Sequence, residues 1–168
     1  MTGDITWVNS HDLLDLYGRL PPLGSLDLRS VNLSWQGPTV TLRVDLPTFP
    51  STVPPEWKDA DVDTIQCHLQ FLAVEDFSLA LWEPPVRSAS LRAQALDTAD
   101  RRIHVRVTGA RVALDFTSTE AVKVGHVSAF KIGPDGSDEG RHLFVRRLDR
   151  MRHESIPSTE ERTFYGRI

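Results

Sequence analysis

The alternating carboxylates of Asp59-Ala60-Asp61-Val62-Asp63 have the oxygen spacing that opens a calcium-binding loop. Such a loop also needs a glycine at its sixth position and a bidentate glutamate at its twelfth. Those positions hold Thr64 and Gln70, so the spacing predicts a solvated acidic segment and no cation cage. A second acidic run, Asp135-Gly136-Ser137-Asp138-Glu139-Gly140, places three carboxylates on a glycine-rich loop. That chemistry suits weak cation binding or a basic partner surface, and a charged loop that resists aggregation is the plain structural alternative. The histidines are His11, His68, His104, His126, His142 and His153. They form no His-x-x-x-His pair, and a metal site needs three or four convergent ligands. No metal and no cofactor are expected.

Nucleophilic chemistry is equally poorly provided for. There is no Gly-x-Ser-x-Gly elbow, no phosphate loop and no Gly-x-Gly-x-x-Gly turn. Cys67 adjoins His68 in a strand-like run, where successive side chains point to opposite faces, so the two cannot pair directly. Cys67 is expected to be a small buried hydrophobe. No catalytic residue is assigned; an enzyme without a familiar motif would have to use His104 or His126 with a carboxylate. Arg141, Arg146, Arg147, Arg150 and Arg152 form a basic cluster, but Glu139, Asp149 and Glu154 intersperse it and make the surface mixed in charge. Of the four tryptophans, Trp35 and Trp82 at strand ends read as core. Trp57, set among Pro47, Pro50, Pro54 and Pro55, reads as the exposed interface candidate.

These residues need a scaffold, and the chain pattern supplies strands. Asn9-Ser10 offers an N-cap, Asp12 suits a first turn and Gly18 can close it, which predicts a helix over 10–17. From there the period changes to alternation. Residues 26–35 read as a strand with a slip near Ser30, and Val40, Leu42, Val44 and Leu46 alternate with Thr41, Arg43 and Asp45 beyond a Gln36-Gly37-Pro38 turn. A helical turn is expected at Glu56-Trp57-Lys58. Further strands are expected over 65–73, 77–82, 88–96, 102–108, 111–117 and 122–132. Cys67, Leu69 and Phe71 should share one face of the first, with Gln66, His68 and Gln70 on the other, and Gly125 marks a bulge in the last. Residues 133–140 read as an exposed loop, 142–148 as a strand or the start of a helix, and the tail from Pro157 as polar up to Phe164-Tyr165. The fold class is mainly β: an antiparallel sandwich or open barrel of about eight or nine strands with a short N-terminal helix, in a single domain over 1–168.

Composition narrows the function. A chain of 168 residues, 40% apolar and 25% charged, is about one domain and buries about 70% of the surface its unfolded form exposes. A net charge of −4 disfavours nucleic acid as a partner. One cysteine excludes an internal disulfide, the first residues carry no secretory signal, and no apolar run approaches the 18 or so residues of a membrane span. The expected location is cytoplasmic.

Several segments together resemble the immunity protein 50 family of bacterial polymorphic toxin systems. They are Leu16-Tyr17-Gly18, Pro21-Pro22-Leu23, Val31-Asn32-Leu33, residues 37–43, Pro54-Pro55-Glu56-Trp57, residues 62–72 and residues 125–130. The resemblance covers about residues 5–165 and implies a small cytosolic protein that binds and neutralises a cognate toxin by occlusion, without catalysis. The acidic surface would suit a basic toxin, with Asp59, Asp61, Asp63, Asp135, Asp138 and Glu139 contributing charge and Trp57 an apolar anchor. Two other functions fit the residues: a β-module holding a small apolar molecule among Phe71, Phe77, Trp82 and Phe116, and the enzyme already described. Self-association through open strand edges is compatible with each.

Overall fold

The computed structural model describes residues 5–34, 37–83, 86–136 and 138–146, and the backbone of 166–167. Its elements in chain order are β1 (Thr6–Val8), α1 (His11–Tyr17), β2 (Leu26–Ser34), β3 (Thr39–Asp45), α2 (Pro55–Lys58), β4 (Thr64–Phe71), β5 (Glu75–Ala80), β6 (Val86–Ala95), β7 (Arg102–Gly109), β8 (Val112–Thr119), β9 (Ala121–Ile132) and β10 (Asp138–Phe144). A two-residue pairing, β11 (Gly166–Arg167), lies against β2 and brings ten strands to eleven.

The strands hydrogen-bond in the order β1-β9-β4-β3-β2-β6-β7-β8-β5, with β10 also on β9. β6 joins two halves. Its first residues pair with β2 (Leu28↔Val86, Leu26↔Ala89), and its later ones pair with β7 from Ser90↔Thr108 to Ala95↔Ile103. The Phe71 ring on β4 meets the Phe116 ring on β8 edge to face, with centroids 5.1 Å apart. Those strands are far apart along the sheet, so the sheet must fold back on itself, and the two halves enclose one core. The result is an open sandwich rather than a closed barrel.

Local sequence explains most elements. α1 starts at Ser10, whose carbonyl accepts from the Leu14 N–H, and stops where Gly18 takes φ +72°, a conformation glycine adopts without penalty. The alternation in β3 places Val40, Leu42 and Val44 on the core, opposite Phe71, Leu69 and Cys67 of β4. The slip near Ser30 is a register shift between Leu28 and Ser30, and a second shift beside Gly125 leaves His126 at φ +50°.

Several expectations need correction. β1 has no signature in three residues, and it runs parallel to β9 (Thr6↔Ala121, Trp7↔Val122, Val8↔Lys123). β5 begins at Glu75, because its turn is taken up by a bulge between Glu75 and Ser78. The loop ends early: Asp138, Glu139 and Gly140 already belong to β10. Gln66 and His68 lie on the face opposite Cys67, Leu69 and Phe71 as expected, and they too are buried. Trp57 is 3% exposed and packs in the core, because α2 folds its indole inward. Trp35, Arg147, Arg150, Arg152, His153 and the tail over 157–165 lie outside the described residues.

Candidate functional site

Two acidic segments 70 residues apart in sequence meet at one end of β9. β4 and β10 flank this strand on opposite edges (Thr64↔Phe130 on one side, Asp138↔Ile132 and Glu139↔Lys131 on the other). The run before β4 and the turn before β10 therefore converge on Lys131 and Ile132.

Burial of Trp57 anchors the first segment. The Ala60 N–H donates to the Trp57 carbonyl at 3.2 Å, and the chain leaves α2 with Asp59 and Asp61 in solvent. Asp61 takes φ +43°, which aspartate tolerates better than most residues. Asp63 stitches the segment to β9. Its N–H donates to the Phe130 carbonyl, and its Oδ1 accepts from the Ile132 N–H at 3.0 Å and the Thr64 hydroxyl at 2.9 Å. Lys131 Nζ sits 3.3 Å from Asp63 and 3.7 Å from Asp61. Slight desolvation would raise the Asp63 pKa, but the Ile132, Thr64 and Lys131 contacts outweigh it and hold the carboxyl below its ordinary value. The Lys131 ammonium is shifted up, first by the Asp63 hydrogen bond and then by the charges of Asp61 and Asp63.

The second segment turns on Gly136, at φ +82°, whose N–H returns to the Gly133 carbonyl at 2.9 Å. A Cβ there would collide with the Arg87 guanidinium, so the turn lies under a side chain from the start of β6. Asp135 and Glu139 are exposed. A cleft of about 340 Å³ lies between the segments, lined by Asp61, Val62, Lys131, Glu139, Arg141 and Leu143 among others. A second cleft of about 290 Å³ opens on the other side of Asp63, against Asp27, Asp45 and Ser88. The expected carboxylates Asp61, Asp63 and Glu139 are thus gathered in one place, while Lys131 and Asp27 are additions and Arg141 comes from the basic cluster. Charge runs flag the acids and Arg141; the β9 pairing brings in Lys131, and β2 supplies Asp27.

Asp138 turns inward. Its Oδ2 lies 2.6 Å from His142 Nε2, and its Oδ1 lies 3.4 Å from Arg29 Nη1. Burial pushes its pKa up, but the His142 hydrogen bond and the charges of His142, Arg29 and Arg43 bring it below the ordinary value. Arg29 Nε donates to Asp45 at 2.7 Å, Gln66 Nε2 donates to the same carboxylate at 2.6 Å, and the Arg29 guanidinium lies 5.6 Å from the centre of the Phe130 ring. The His142 ring stacks on Phe130 at 4.6 Å, with Nδ1 2.9 Å from Ser128 Oγ. Ser128, His142 and Asp138 thus line up in the order of a hydrolytic triad. Ser128 is fully buried and His142 only 2% exposed, so no substrate carbonyl can reach the hydroxyl. The line is a structural chain that holds β10 against β9.

The other enzymatic candidates lie apart. His104 is bonded to Asp115 at 2.6 Å beside Arg106 on the outer face of β7 and β8. Among the described residues, no group of three or more His, Cys, Asp or Glu side chains is placed to hold a metal ion. Cys67 is enclosed, and burial pushes its thiol up to about 12, which removes it as a nucleophile. Phe77 stacks on Phe116, which in turn meets Phe71 edge to face, so these three rings pack on one another. No helix among the described residues is long and apolar enough to cross a membrane.

The family model described as immunity protein 50 matches residues 9–129, well over half of the chain. The matched span holds the Asp59–Asp63 segment and ends before the Asp135–Glu139 turn. No curated protein and no solved structure matches the chain.

Proposed function

The chain belongs to the immunity protein 50 family, and on that premise we propose that it binds a cognate bacterial toxin in the cytosol and neutralises it by occlusion, without catalysis. The observation that carries the surface assignment is the convergence of Asp61, Asp63 and Glu139, with Asp59 and Asp135 nearby, around the end of β9. Carboxylates gathered on one end create a local negative field even in a chain of modest net charge. Such a field steers a basic partner and raises its association rate more than it deepens the final affinity. A toxin domain with a basic active-site surface, as an enzyme acting on nucleic acid would have, fits this chemistry. Trp57 holds the acidic segment in place from beneath, as a positioning residue rather than an anchor in contact with the partner.

The test pairs this chain with the toxin encoded beside its gene. Co-expression should restore growth of a host that the toxin alone arrests. Changing Asp59, Asp61, Asp63, Asp135 and Glu139 together to serine should slow association by about tenfold at low salt and flatten its salt dependence. An unchanged affinity and an unchanged salt slope would move the contact surface elsewhere.

A further inference from the structure

Among the described residues, β5 is the last strand of the sheet order and pairs with β8 alone. An open edge offers unpaired backbone N–H and C=O groups, and proteins usually blunt it with lysine, proline or bulges. From Glu75 to Glu83 the chain has no lysine, arginine or proline, and Phe77-Ser78-Leu79-Ala80-Leu81-Trp82 is uncharged throughout. Phe77 and Leu79 pack inward on the core, whereas Ser78 and Ala80 face solvent. Bulges limit the flat stretch. One lies between Glu75 and Ser78. At the far end, the Glu83 N–H bonds to the Arg111 carbonyl, three residues on from Ala80 against two from its partner Ala113, which leaves one extra residue just past β5. That extra turn puts Leu81 at φ +53° and swings its side chain out to 62% exposure, the highest among the large apolar side chains of the described residues. Bulges at functional edges re-aim side chains in this way.

We propose that the edge of β5 is a strand-addition site, where an extended segment of the toxin pairs with Phe77–Ala80 and covers Leu81. The identity of the partner rests on the immunity reading; the strand chemistry rests on the edge itself. Charge sets the kind of segment. The Glu75 side chain is 66% and the Glu83 side chain 68% exposed, and among the described residues they pair with Arg102 at 3.4 Å and Arg111 at 4.0 Å. An uncharged strand with Lys or Arg at each end complements this pattern. A second copy of the chain does not: antiparallel self-pairing centred on Leu79 sets Glu75 against Glu83 twice, and like charges placed opposite each other repel. The site also adjoins the acidic end. A cleft of about 390 Å³ lined by Val86, Arg87, Ala110 and Arg111 lies between Glu83, which pairs with Arg111, and Gly136, which lies under Arg87. One partner can therefore span both surfaces.

The test uses the full chain and the toxin encoded beside its gene. Amide exchange over 77–81 should slow at least tenfold in the complex, and Ser78→Lys with Ala80→Lys should weaken binding at least tenfold with an unchanged thermal midpoint. Leu81→Asp should weaken it likewise. If the native chain rescues growth and the double-lysine variant rescues it equally well, the edge proposal fails while the immunity reading stands. If the native chain gives no rescue, that reading fails and the edge loses its toxin partner with it. A dimer of the isolated chain that the double-lysine variant dissolves would assign the edge to self-association and overturn the proposal.

Discussion

Strands β3, β4 and β9 have two faces, and both are buried. On one, Val40, Leu42, Val44, Leu69, Phe71 and Val124 close against β8 and the rest of the folded-over sheet. On the other, Asp45, Gln66, Ser128 and Phe130 are closed in with Arg29, Asp138 and His142. The first face is held by apolar contact, which tolerates imprecision. The second depends on groups that each cost energy unless their partner is present. Alternation along a strand therefore separates apolar from polar, but it does not separate inside from outside.

The contrast can be broken from either side. Phe116→Ala, at the ring contact that closes the core, should cost about 4 kcal/mol of unfolding free energy in a urea titration. Asp45→Ala should cost about 3 kcal/mol, because it strands the buried Arg29 guanidinium. A loss below about 1 kcal/mol would mean that water reaches the polar face.

Acid sharpens the comparison within the polar face. His142, Arg29 and Arg43 hold Asp138 below its ordinary value, so the stability its charge supplies is present above that value and is lost as the pH falls through the lowered one. Burial holds Asp45 above its ordinary value against the pull of Arg29 and Gln66, so its charge is a burden that acid relieves. Asp138→Asn should make the loss of stability between pH 7 and pH 3 shallower, and Asp45→Asn should make it steeper. Urea midpoints across that range decide the signs, and parallel behaviour of the two variants would contradict the assignment. The smallest effect is a gain. Among the described residues the Thr41 hydroxyl is buried without a hydrogen-bond partner, and Thr41→Val should stabilise the protein by about 1 kcal/mol. A loss instead would show that the hydroxyl is satisfied.

The β2–β3 hairpin was legible in the sequence because its signals are local: alternation, the Gly37-Pro38 turn and a slip at Ser30 that became a real bulge. A strand near Phe77 was likewise recognisable, although β5 runs from Glu75 to Ala80 and leaves Leu81 and Trp82 outside it. β1 was not, since three residues carry no period and their pairing lies more than 110 positions away. Trp57 misled because proline-rich connections usually run over the surface, whereas α2 turns this indole inward. The acidic segments were visible as charge runs, but their meeting was not, because it depends on β4 and β10 taking opposite edges of β9. The Arg29–Asp138–His142 chain was invisible in part for the same reason: Asp138 and His142 lie four residues apart on β10, but only topology brings Arg29 of β2 to them.

Because β1 pairs with β9 more than 110 positions later, it cannot be placed until β9 has been made. β4 can pair with β3 earlier, but its other edge stays open until β9 arrives. At about 5–20 residues per second, a ribosome needs roughly 6–25 s to pass from Val8 to Ile132. On the proposed function, this delay is a gap in cover. A cell meeting the toxin would then be guarded by chains completed beforehand, so the standing pool, more than the speed of new synthesis, would set how much poison it survives.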